Sequence, residues 1–160
     1  MKTLPSKLFP NCSFPSDKGV GFYDITPEGF NHVISLYLGS ETVKDDEAIA
    51  KAADFFDKAS EWDSFCRDAF LSVPEDSDDY KMILEYFSFY KDEVPEVFGV
   101  PDASVLSLSD MVRCLILSHM GTHGIGSEQK YNVDFTLGYD QLLCVYFDCD
   151  GTFDHIAWES

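Results

Sequence analysis

The chain has 160 residues, of which 45% are hydrophobic and 15% aromatic, enough apolar material for one core and a length that points to a single domain spanning 1–160. Its 29 Asp and Glu against 11 Lys and Arg give a formal charge of −18, which repels phosphate backbones and anionic lipid while drawing basic proteins inward. Disorder, nucleic-acid binding and, for want of about 18 consecutive apolar residues, a membrane span are thereby set aside.

The opening stretch to Gly19 is interrupted by Pro5, Pro10 and Pro15 and holds no apolar run of signal-peptide length, so the chain is expected to stay in the cytoplasm where it is made. The five cysteines, Cys12, Cys66, Cys114, Cys144 and Cys149, are odd in number and lack CxxC spacing, which reads as free thiols in a reducing compartment. Gly19 to Ile25 and Asn31 to Leu38 then read as strands, joined by the turn Thr26-Pro27-Glu28-Gly29 into an N-terminal hairpin. In the second, Val33, Ser35 and Tyr37 face one way and Ile34, Leu36 and Leu38 the other, and that mixture predicts a strand covered on both faces.

From Glu41 the period lengthens. Ile49, Ala52, Ala53, Phe56 and Ala59 recur at helical spacing, with Glu47–Lys51 and Asp54–Lys58 as i,i+4 pairs on the outer side. Ser60 reads as the N-cap of a second helix whose inner stripe is Trp62, Phe65, Cys66, Ala69 and Phe70, stopped by Pro74. Ser77, followed by Asp78 and Asp79, opens a third helix with the stripe Tyr80, Ile83, Leu84 and Phe87, ended by Pro95 and Gly99. The last third returns to strands at Met111–Ser118, Tyr131–Leu137, Leu142–Asp148 and Thr152–Glu159. Asp150-Gly151 is a strong hairpin signal; with those two as the turn, Phe147 faces Asp154, Val145 faces Ile156, Leu143 faces Trp158, and Tyr146 lies beside His155. Strands, then helices, then strands give an α+β class: a mainly antiparallel sheet of about six strands, an N-terminal hairpin plus four C-terminal strands, with three helices packed on one face.

Candidate chemistry is sparse. His119 and His123 have i,i+4 spacing for a zinc pair, but Gly121, Gly124 and Gly126 argue for a loop between strands, with no third ligand near in sequence and no metal assigned. The same glycines lack the Lys-Ser/Thr ending of a phosphate loop. Asp148-Cys149-Asp150-Gly151 resembles the opening of a calcium loop, yet position 12, Glu159, falls beyond a strand, so a plain turn is the better reading. Cys144 or Cys149 with His155 would make a Cys/His pair only if neighbouring strands align them, and no nucleophile elbow accompanies it. No catalytic residue and no cofactor is assigned, and the expectation is a binding protein instead of an enzyme. The rival is a small metal-dependent hydrolase using His119, His123, His155 and nearby carboxylates.

The acids cluster: 18 of them against 6 bases lie between Glu41 and Asp102. Tyr86, Phe89 and Tyr90 are additional to the inner stripe of the third helix, and exposed aromatics ringed by carboxylates suit an interface for a basic protein. The expected contact residues are Asp78, Asp79, Glu85, Tyr86, Phe89, Tyr90, Asp92 and Glu93.

Toward the C-terminus, Gly124-Ile125, Asp134, Leu142-Leu143, Val145, Phe147-Asp148, Asp150-Gly151 and Trp158-Glu159-Ser160 form a pattern that resembles the bacterial domain-of-unknown-function family two-thousand-and-four over roughly the last 50 residues. These are fold-type motifs and imply a strand, loop, strand and hairpin order. In general character the chain also resembles the immunity proteins of bacterial toxin–immunity pairs of the contact-dependent inhibition type. That resemblance implies direct binding to a basic cognate toxin domain, a nuclease for instance.

Overall fold

The computed structural model describes residues 1–160. A six-stranded sheet runs in the order β3 (Val20–Phe22), β4 (Ser35–Leu38), β5 (Ile116–His123), β6 (Lys130–Thr136), β7 (Leu142–Phe147) and β8 (Phe153–Glu159). All neighbours are antiparallel except β4 and β5, where Ser35 pairs with His119 and Leu38 with Thr122 in parallel. The four α-helices lie between those two strands in sequence: α1 (Asp46–Phe56), α2 (Ala59–Ser72), α3 (Asp78–Glu93) and α4 (Leu108–Cys114). The α+β class and the mainly antiparallel sheet are as expected, with one helix more. A small pair, β1 (Lys2–Thr3) with β2 (Ser13–Phe14), tucks the buried Phe9 and Phe14 into the core; the Phe9 ring meets Phe56 edge-on at 6.3 Å. Asp57 holds this segment, accepting from the Ser6 hydroxyl and from the Leu8 amide at 3.0 Å.

Local chemistry sets the helix limits. Asp45 caps α1 by accepting from the Ala48 amide at 2.8 Å, and Ser77 caps α3 by accepting from the Tyr80 amide at 3.2 Å. Ser60 does not cap α2. The Trp62 amide already bonds the Lys58 carbonyl at 3.0 Å, so the helix starts two residues earlier, with Lys58 at its N-cap, and Ser60 faces water. The expected strand Met111–Ser118 is helix as far as Cys114. Ser107 and Asp110 form a reciprocal capping box that starts α4, and Met111, Val112 and Leu115 meet the core at the i, i+1, i+4 spacing of a helix before the chain straightens at Ile116.

One continuous cluster of buried side chains lies between the helices and one face of the sheet. The Phe55 ring stacks on Tyr131 at 4.3 Å and on Trp62 at 4.6 Å, while Phe70 meets Phe135 edge-on at 5.5 Å. Phe65, expected inside, lies at the edge of this stack and is largely exposed. The opposite face carries no helix. β4 is therefore covered on one side only: Ile34, Leu36 and Leu38 are buried, whereas Val33 and Tyr37 are 42% and 39% exposed, contrary to the expected two-sided burial.

In the last hairpin, Leu143 pairs with Trp158, Val145 with Ile156 and Tyr146 with His155, as expected. Phe147 pairs with Phe153 and not Asp154, because Gly151 takes a left-handed φ of 78° and the extra residue is absorbed as a bulge.

Candidate functional site

The acid-rich helix α3 buries a wider arc than its expected stripe. Ile83, Tyr86, Phe87 and Tyr90 recur at i, i+3, i+4 and i+7 and all lie inside. Tyr86 and Tyr90, two of the expected contact residues, are 0% exposed, which corrects that expectation. Their hydroxyls both donate to the Gln141 carbonyl, at 2.9 and 3.1 Å, so each ring fills the core while its polar tip satisfies an acceptor at the end of the sheet. Burial pushes the Tyr86 phenol well above its ordinary range and keeps it a donor. The i+3, i+4 spacing from Ile83 was present in the sequence and would have found this arc.

Phe89 remains outward at 36% exposure, and the structure supplies neighbours that sequence order does not suggest. Its ring lies 6.2 Å from that of half-buried Trp158 on β8 and 5.5 Å from Tyr90; Tyr90 in turn lies 6.2 Å from Tyr139, which is 51% exposed in the turn between β6 and β7. Two contacts fix that turn. The Thr136 hydroxyl donates to the Tyr139 carbonyl at 2.7 Å and accepts from the Gly138 amide at 3.1 Å. Trp158 is held by its indole N–H on Gln141 Oε1 at 2.8 Å. Phe89, Tyr139 and Trp158 thus form an aromatic corner drawn from a helix, a turn and a strand.

Carboxylates ring it. Glu85 and Glu93 sit one helical turn either side of Phe89, Asp92 lies at i+3, and Asp140 follows Tyr139; all four are exposed. Asp78 is exposed and Asp79 half-buried at the start of the helix. None of these six acids meets a Lys or Arg within 4.0 Å. In the whole chain only five of the 29 acids do, Asp46, Glu47, Asp63, Asp110 and Asp148, and only Asp134 is buried.

The histidines of the rival reading, and Cys144, lie on the opposite, helix-free face, whereas Cys149 sits in the β7–β8 turn beside Phe55, Trp62 and Tyr131 on the helix side. The segment containing His119 and His123 is strand β5 and not the expected glycine loop, which begins at Gly124. Gly121 is accommodated there because the Asn132 side chain lies over it; a Cβ would come within 2.6 Å of Asn132 Oδ1. His119 and His123 are four residues apart along one strand, about 13 Å, and His155 is three strands from His119, about 14 Å, too far for one ion. No three His, Cys, Asp or Glu side chains converge to hold a metal ion. Cys144 pairs with Ala157 and points its thiol toward Glu159 at 3.6 Å, while His155 stacks on Tyr146 at 4.5 Å and bonds Asp154. The Cys144–His155 pair is therefore not assembled, and burial beside Asp134 and Glu159 pushes the Cys144 thiol up, away from the thiolate a nucleophile needs. The calcium-like aspartates serve the turn: Asp148 takes the Lys130 ammonium at 2.8 Å and Asp150 the Thr152 amide at 3.1 Å.

No helix is long and apolar enough to cross a membrane. No protein-family model, no curated protein and no solved structure matches this chain.

Proposed function

We propose that this chain is a cytoplasmic acidic docking protein of the immunity type, which neutralises a basic partner, a cognate bacterial toxin domain such as a nuclease, by direct binding. One observation carries the reading: an aromatic corner of exposed Phe89 and Tyr139 with half-buried Trp158 is bordered by four exposed carboxylates with no basic partner of their own. Rings of this kind supply desolvated anchors, and unpaired like charges around them steer a basic surface and set its register. The contact set becomes Asp78, Glu85, Phe89, Asp92 and Glu93 from α3 with Tyr139, Asp140 and Trp158, while Tyr86 and Tyr90 support it from beneath. Bound there, the chain would cover a basic substrate groove with carboxylates in place of phosphates. The general resemblance to immunity proteins agrees with it.

Affinity capture from the native host at low and high salt tests the reading. A basic protein is retained at low ionic strength and released as salt shortens the Debye length from about 10 Å at 0.1 M to about 3 Å at 1 M. Phe89→Ala weakens its binding by about 2 kcal/mol, and Glu85→Lys with Glu93→Lys slows association most at low salt. Recovery of no basic partner, or of one whose binding ignores salt and both substitutions, would remove the basis for it.

A further inference from the structure

The helix-free face of the sheet contains a hollow of about 210 Å³. Two glycines let side chains fold close to the sheet beside it: the ring of Tyr23 lies over Gly21, and the Asn132 side chain on β6 lies over Gly121, with Tyr37 on β4 at the same register position. Tyr23, Tyr37, His119 and His123 wall the hollow, and Asn132 and Asp134 lie at its base.

Asp134 is the feature the fold does not account for. It is 8% exposed and accepts from Asn132 Nδ2 at 2.9 Å, with His119 opposite it on β5 and Cys144 opposite it on β7. No Lys or Arg lies within 4.0 Å. Further along, Glu159 on β8 takes the Tyr146 hydroxyl at 2.7 Å and adds a second negative charge to the same face. A carboxylate taken out of water without a countercharge is expensive, and burial accordingly pushes its carboxyl up. A ligand that brings positive charge would relieve that penalty.

The surroundings select the kind of cation. Convergent side chains for a metal ion are too few. Phenol faces attract organic cations, and a guanidinium combines a planar surface for stacking with a fork that matches a carboxylate. Tyr37, on β4 beside Gly121, lines the same hollow and offers an apolar ring to an aliphatic stem.

We propose that this hollow binds a guanidinium carried on an alkyl stem, its charge on the Asp134 carboxylate and its stem against Tyr37. The site is on the sheet face away from the helices and the Phe89 corner, so it stands or falls separately from the docking reading. Its occupant is either a free small molecule or an arginine side chain in a polypeptide, and the chemistry of capture is shared. Binding strengthens as pH rises, because Asp134 gains its charge; His119 and His123 face the same hollow. Cys144, a neutral thiol, and the Glu159 carboxylate border Asp134 from the other side.

Titration of the full chain with agmatine and with a glycyl-arginyl-glycine amide, followed by amide shifts in two-dimensional NMR and by calorimetry, tests this. The expected result is saturable shifts at Gly121, Asn132 and Asp134, at least tenfold weaker binding by Asp134→Asn, several-fold weaker binding by Tyr37→Leu, and no change with Asp68→Asn on the surface of α2. Binding of agmatine alone assigns the free small molecule; binding of the peptide as well assigns an arginine side chain. Failure of both probes overturns the proposal. So does equal binding by Asp134→Asn, which marks general attraction to an acidic surface, or stoichiometric zinc on His119 and Asp134 in the purified protein.

Discussion

The two faces of the same six strands were built under different rules. Toward the helices, residues pair across strands as Tyr131 with Phe147, Val133 with Val145 and Leu143 with Trp158; on the other side the same strands pair His119 with Asp134, Asp134 with Cys144 and Tyr146 with His155. The first set is interchangeable apolar volume, held by packing. The second consists of groups that carry charge, protons or hydrogen bonds, and packing alone gives no reason for them. A bulge at Ser118 keeps the faces distinct along β5. It lets Leu117 and Met120, three residues apart, both reach the core, and leaves Ile116 and His119 both outside.

Substitutions on the two faces should therefore separate by size and by sign. Phe55→Ala removes the ring shared by Trp62 and Tyr131 and should cost about 3–5 kcal/mol in urea unfolding, the largest loss of the set. Arg67→Ala should follow at about 2–3 kcal/mol. Its guanidinium donates to the Val112 and Leu115 carbonyls at 2.7 and 2.8 Å and pairs with Asp63, so three acceptors lose a charged donor where α4 hands over to β5. Asp134→Asn should act in the opposite direction, stabilising by about 1 kcal/mol at neutral pH through removal of a buried charge.

The pH dependence sharpens that third case. Burial raises the Asp134 pKa in the folded chain, so between the unfolded carboxyl value, about 3.9, and the raised one the folded state binds the extra proton. Its contribution is most favourable below that window and is lost as pH rises through it. Melting curves of wild type and Asp134→Asn should coincide at the acid end and diverge toward neutrality. Tyr37→Ala, on the open face, should change stability by less than about 0.5 kcal/mol, which thermal unfolding can check. A loss there comparable to that of Phe55→Ala would erase the distinction between the faces.

The sequence revealed the covered face more readily than the open one. The strand positions other than that of β5, and the register from Tyr146 to Leu143, followed from alternation and from Asp150-Gly151, since core faces repeat at a fixed period. Helix α4 was hidden because Met111–Leu117 is apolar but for Arg113 and crosses a helix-to-strand joint; only the Ser107–Asp110 box marks the boundary. Tyr86 and Tyr90 were misassigned because a phenol can be wholly buried once its hydroxyl finds a carbonyl, here that of Gln141, more than fifty positions away along the chain. The corner of Phe89, Tyr139 and Trp158 and the hollow around Asp134 each draw on three or more elements. Neither has a local spacing to detect.

The parallel pairing of β4 with β5 imposes an order on the making of the molecule. The first hairpin leaves the ribosome while the strand it must join is still about 80 residues from synthesis, a gap that also makes this contact the slowest to close entropically. The four C-terminal strands form a meander and can pair as they emerge. Until β5 arrives, Leu36 and Leu38 belong to a two-stranded ribbon with a bare edge, the period when the nascent chain is most open to mispairing. The acidic segment that follows it out of the tunnel offers charge repulsion between neighbouring chains during that wait.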